Sequence, residues 1–169
     1  LMLILKSLSG VIINTWNTEI KLKKLYLTVN PFGGHKKGPK ILKEIMPLFE
    51  KNAINLNIIE TEYAGHNKKI AMEVDMDGYD GFCSIGGDGT LSEVINGVMS
   101  RIDTQKFPLG LITGGTGNSF MHDIDCLDPL EAAKRIIDGK LRKIDIFSCK
   151  TENKLYYGFN IIGWGIPTD

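Results

Sequence analysis

One carboxylate sits among three glycines in Gly86-Gly87-Asp88-Gly89-Thr90, and this turn is where the chain can do chemistry. Glycines keep side chains away from the backbone, so N–H groups can approach an anion closely. Phe82 and Ile85 close a short apolar run before the turn, and Leu91, Val94, Ile95 and Val98 follow it on one helical face. The turn therefore joins a strand to a helix whose positive end points back at it. A lone carboxylate repels a phosphate, so Asp88 belongs there only if a cation offsets it or a proton has to be taken up. The other reading, an Asp-Gly hairpin tip, needs a second strand where the helical period stands.

Two more glycine loops accompany it. Leu25-Tyr26-Leu27-Thr28-Val29-Asn30 reads as a buried strand and empties into Pro31-Phe32-Gly33-Gly34. His35-Lys36-Lys37-Gly38 then leads to Pro39, a good first-turn residue, and to a helix with Ile41, Leu42, Ile45, Met46 and Phe49 on its apolar face and a kink expected at Pro47. Gly33 and Gly34 can offer backbone donors to a phosphate and Lys36 or Lys37 can add charge; a solvated lysine loop is the alternative. The Gly-Lys-Ser/Thr ending of a Walker A loop is missing. Phe107–Ile112 is a further strand, ending in Thr113-Gly114-Gly115-Thr116-Gly117-Asn118-Ser119.

Between these lie a strand over Leu56–Glu60, the segment Thr61-Glu62-Tyr63-Ala64-Gly65-His66, and a helix carrying Ile70, Ala71 and Val74 that should close at Asp77-Gly78. Asp128 and Pro129 start a helix that Gly139 ends. Ile144–Phe147 and Leu155–Ile162 read as strands joined by Thr151-Glu152-Asn153, and Val11-Ile12-Ile13 as a possible strand near the start. The alternation predicts an α/β fold, a doubly wound, mostly parallel sheet whose ligand crevice lies at the carboxyl ends of the strands. Three glycine loops share that edge, and none reads Gly-x-Gly-x-x-Gly. This points to a nucleoside triphosphate and phosphoryl transfer rather than to hydride transfer.

The chain has 169 residues, 43% of them hydrophobic, enough for one domain with a proper core. Twenty basic and twenty acidic residues cancel, which gives no electrostatic case for a nucleic-acid partner. Cys83, Cys126 and Cys149 are widely spaced and read as reduced thiols of a cytosolic protein; His35, His66 and His122 make no metal pattern and read as loop or surface residues. The apolar run Leu1–Leu5 is too short to cross a bilayer and lacks the flanks of a signal peptide. Both ends read as cut. Residues 1–21 are expected to be the tail of an upstream region, 22–150 the nucleotide domain, and 151–169 the start of a truncated β-rich domain.

Asn30-Pro31-Phe32-Gly33-Gly34, Gly86-Gly87-Asp88-Gly89-Thr90 and Gly115-Thr116-Gly117-Asn118 occur in the order of the diacylglycerol kinase catalytic domain, which the chain resembles from about residue 22 onward. Thr61-Glu62 with His66, Glu93-Val94-Ile95-Asn96-Gly97 and Gly163-Trp164-Gly165 are similar to the sphingosine and ceramide kinase branch. The resemblance implies a two-domain lipid kinase using ATP and Mg²⁺, with Asp88 as general base on a hydroxyl of a sphingoid base, ceramide or diacylglycerol. It implies nucleotide contacts at Asn30, Pro31, Phe32, Thr61, Gly86, Gly87, Gly89, Glu93, Gly115, Thr116 and Gly117; the loop readings add Gly33, Gly34, Lys37 and Thr90. Lipid contacts are expected at Gly86, Gly87, Asp88 and Gly89 and at Asp169, and the protein is expected in the cytoplasm with transient membrane contact. Gly114 stands where many relatives have proline, and Ser119 where bacterial members have aspartate. The alternatives are a nucleotide-binding module without activity, and an NAD kinase, which shares the Gly-Gly-Asp-Gly turn but not the other two loops.

Overall fold

A computed structural model describes residues 2–7, 19–33, 36–152 and 154–159. Among the described residues seven strands form one sheet in the order β3-β2-β4-β5-β1-β6-β7. Strands β2 (Lys24–Val29), β4 (Gly81–Gly86) and β5 (Leu109–Thr113) are buried over almost their whole length, as continuous apolar runs in the middle of a parallel sheet must be. Strand β3 (Asn55–Glu60) lies at the edge and exposes half of its residues. β2 pairs in parallel with both β3 and β4, and β4 in parallel with β5, so all four strands end on the same side.

Helix α1 (Gly38–Lys51) has Pro39 in its first turn and buries Ile41, Ile45 and Phe49. It runs unbroken through Pro47, whose ring lies on the exposed side. α1 packs with α5 (Pro129–Ile137), and α2 (His66–Glu73) with α3 (Asp88–Met99), giving the two helical layers of a doubly wound sheet. Asp128 Oδ1 accepts from Leu130 N at 3.1 Å as the cap of α5, and Gly139 follows that helix at φ 66°. The remaining described helix, α4 (Ser119–Asp123), is a short turn beyond β5.

One boundary is corrected. α2 ends at Glu73, four residues before Asp77-Gly78, because Val74 is extended and the Arg101 guanidinium takes the carbonyls of Ala71 (3.1 Å) and Val74 (2.8 Å). Within the stretch expected to be an upstream tail, Met2–Ser7 form β1, an interior strand parallel to β6 (Leu141–Lys150) and antiparallel to β5. Met2 and Leu3 are fully buried. The signal overlooked is that a fully apolar five-residue run is also the pattern of a central strand. β7 (Leu155–Gly158) pairs antiparallel with β6, as the final hairpin requires. Val11-Ile12-Ile13 and the far end of the Leu155–Ile162 run lie outside the described residues.

Candidate functional site

β4 ends at Gly86 and α3 begins at Asp88, so Gly87 alone makes the turn between them. The loop after β5 closes on it: Gly114 N donates to Gly86 O at 2.8 Å, extending the sheet ladder past the strand ends. A Cβ on Gly115 would stand 2.5 Å from Gly87 Cα, and one on Gly87 2.9 Å from Gly115 Cα. The two turns touch backbone to backbone, and only glycine fits on either side. Asn118 holds the second turn in shape. Its left-handed backbone (φ 53°) lets the side chain fold back, so that Oδ1 accepts from Gly115 N at 3.1 Å and Nδ2 donates to Gly115 O at 2.9 Å.

Asp88 is the first residue of α3, and its carboxylate reaches across to the neighbouring loop. Oδ2 accepts from Ser119 N at 2.8 Å and Oδ1 from Phe120 N at 3.0 Å. Both oxygens are thereby fixed in direction, and each keeps a lone pair free. The side chain is half-buried, with Gly117 passing beside Oδ2. The second and third glycine motifs are thus one unit, a contact that spacing in the sequence does not show.

Beside this unit a cleft of about 290 Å³ opens between the ends of β2 and β3 and the first turns of α3, near the lower limit of small-molecule sites, about 300 Å³. One wall is Asn30, Phe32 and Gly33. Asn30 Oδ1 accepts from the N–H groups of Phe32 and Gly33, both at 2.9 Å, an Asx turn that shapes the loop. The facing wall is Thr90 and Glu93 of α3. Glu93 Oε1 accepts from Gly65 N at 2.9 Å, which ties α3 to the start of α2, and Thr90 packs on Gly86. Thr61 closes the floor; it is buried, and its N–H donates to Val29 O at 2.9 Å. Tyr63 stacks on His66 at 4.5 Å between ring centroids, and His66 Nδ1 accepts from Glu62 N at 3.1 Å.

Asn30, Phe32, Gly33, Thr61, Thr90 and Glu93, all expected nucleotide contacts, line one cleft. Gly86, Gly87, Asp88, Gly115 and Gly117 form the adjoining turn unit. Pro31 lies in the first loop, while Lys37 occupies the N-cap position of α1 without a side-chain cap and is exposed, as are Gly89 and Thr116. Gly34 and Asp169 lie outside the described residues. Sequence reasoning missed Tyr63, Ala64 and Asn67 as lining residues. Only the stretch from Thr61 to His66 drew attention, and a polar residue one step into a helix has no signal of its own.

Among the described residues no group of three or more His, Cys, Asp and Glu could hold a metal ion. The donor set at the turn is a single carboxylate, already engaged by two N–H groups, so it does not make a Mg²⁺ cage. All three cysteines are free. Cys83 is wholly buried in β4, which pushes its thiol up to about 12, and burial also raises Cys126.

The diacylglycerol kinase catalytic domain family matches residues 24–149. This chain belongs to that family. It is 36% identical over 158 residues to sphingosine kinase 1 of Arabidopsis thaliana, covering 87% of this chain and 32% of the relative. It is 33% identical over 165 residues to ceramide kinase of Mus musculus, covering 87% and 31%. A solved diacylglycerol kinase structure from Bacillus anthracis superposes with a TM-score of 0.60 at 31% identity, over 70% of this chain and 41% of that one. The chain spans about a third of the length of these two curated relatives. The family match covers all three glycine loops and the cleft between them.

Proposed function

We propose that the chain carries the nucleotide half of an ATP-dependent lipid kinase, which passes the γ-phosphate to a hydroxyl of a sphingoid base, a ceramide or a diacylglycerol. The observation that carries this reading is the pairing of bare turns at Gly87 and Gly115 with a carboxylate whose two oxygens are aimed by Ser119 N and Phe120 N. The first N–H groups of α3 have no acceptor within the helix and suit a phosphate, and the cleft from Thr90 to Thr61 suits the nucleoside. Asp88 takes the proton of the lipid hydroxyl as its oxygen bonds to the γ-phosphorus. The bond from that phosphorus to the bridging oxygen breaks, and ADP leaves with the electron pair. The described residues offer no carboxylate cage for Mg²⁺, so an ion arriving with ATP would be carried by the nucleotide and would offset its phosphate charge. The lipid preference of the named relatives supports an alcohol acceptor. The reading also places the protein in the cytoplasm in passing contact with a membrane.

A second reading rests on one fact: both Asp88 oxygens already accept N–H bonds, as a purely architectural cap would. The chain would then bind nucleotide without turnover. One assay separates the readings. Labelled ATP is offered with sphingosine, ceramide, diacylglycerol and NAD to the full-length protein and to Asp88→Asn. Transfer to a lipid that falls by about 10²–10⁴-fold in the variant supports the kinase. Equal transfer by both makes Asp88 a cap, transfer to NAD alone moves the chain to the NAD kinases, and binding without transfer leaves the inactive module.

A further inference from the structure

Asn67 lies in the first turn of α2 and is 3% exposed, yet it lines the nucleotide cleft. Its Oδ1 has no hydrogen-bond partner, alone among buried side-chain nitrogen and oxygen atoms of the described residues. Elsewhere in this fold buried polar groups are matched: Thr28 Oγ1 pairs with Ser84 Oγ at 2.7 Å, Thr113 Oγ1 donates to Cys126 O at 2.9 Å, and Asn96 is bonded on both sides. A buried acceptor left unmet is costly, and a structural asparagine would have been given a donor. The cleft runs from Thr90, which packs on Gly86 at the glycine turns, to Tyr63, Ala64 and Asn67 at the far end. A nucleotide with its phosphates at the turns puts its base at the Asn67 end.

We infer that Asn67 Oδ1 accepts a hydrogen bond from the exocyclic amino group of the adenine base, making Asn67 a specificity residue of the nucleotide site. The inference rests on the nucleotide reading above. An asparagine amide suits adenine because it offers an acceptor to the amino group and a donor to the adjacent ring nitrogen.

The test is calorimetric titration of the protein and of Asn67→Ala with three ligands: ATP, purine riboside triphosphate, which lacks the amino group, and 2′-deoxy-ATP. Wild type is expected to bind ATP about 5- to 100-fold more tightly than the purine analogue. Asn67→Ala should bring that ratio close to one while keeping the wild-type response to the deoxy analogue. A ratio unchanged in Asn67→Ala overturns the inference and leaves the nucleotide site intact. Loss of the deoxy discrimination instead assigns the donor to the ribose hydroxyl and overturns the base contact. Failure of wild type to bind any of the three overturns the nucleotide reading together with the inference. Thermal melting supplies a folding readout: removing an orphaned acceptor should leave Asn67→Ala at least as stable as wild type, and a clear drop would show a structural role.

Discussion

At the scale of single residues, the site depends on groups whose partners are backbone atoms. Asp88 meets two N–H groups and Asn118 brackets both polar atoms of Gly115. Asp88→Asn keeps one carboxamide oxygen for two donors, so it should lose about 1 kcal/mol of stability while losing most of its transfer activity. Denaturant titration beside the assay checks that the two effects separate. The thiols offer a second residue-scale test. Cys83 is fully buried and driven up to about 12, and Cys126 is buried as well, whereas Cys149 is half-buried. Under native conditions a thiol reagent should titrate Cys149 first and reach Cys83 and Cys126 only on unfolding. Rapid labelling of Cys83 would show that the central strand is open.

Among elements, the contact between the β4–α3 turn and the β5–α4 loop holds the glycine edge together. Gly115→Ala inserts an atom 2.5 Å from Gly87 Cα and 2.9 Å from Gly87 N, backbone that cannot swing aside, and 2.7 Å from Asn118 Oδ1. The turns must part, and nucleotide affinity should fall at least tenfold, as measured by titration with ATP. The α3 helix is tied to the last described strand by Asn96, whose Nδ2 donates to Tyr157 O at 2.8 Å and whose Oδ1 accepts from Tyr157 N at 2.9 Å. Asn96→Ala leaves both backbone groups of Tyr157 without these partners and should cost about 1–3 kcal/mol in denaturant unfolding. Arg101 and Asp103 make a third tie. The Arg101 guanidinium hydrogen-bonds the Asp103 carboxylate and holds it below the usual carboxylate range. A lowered carboxylate stabilises the fold above its unfolded pKa and ceases to do so as pH falls through its folded one. The stability gap between wild type and Asp103→Asn should therefore be constant at neutral pH, begin to close below about pH 4 and vanish once the lowered value is passed.

For the whole molecule, the sheet was legible where residue patterns are strong and illegible where they depend on distant partners. The buried runs of β2, β4 and β5 and the amphipathic faces of α1 and α5 announced themselves through spacing. The place of Met2–Ser7 did not, because nothing local tells an interior strand from a loose apolar segment; β6 and β5 decide it. In the site, glycine and Asp88 identities were readable because backbone access and proton transfer demand those residue types. The Gly87–Gly115 contact, the reach of Asp88 to Ser119 and Phe120, and the orphaned oxygen of Asn67 were not, since each joins residues brought close only by folding.

The most direct test of the central claim, that the glycine edge and the adjoining cleft hold a nucleoside triphosphate, is amide chemical-shift mapping of the protein during titration with MgATP. Shifts should concentrate in residues 30–33, 61–67, 86–93 and 114–120. Shifts centred on the apolar groove between α1 and β3, around Phe49, Ile54 and Ile58, or no saturable shifts, would contradict it.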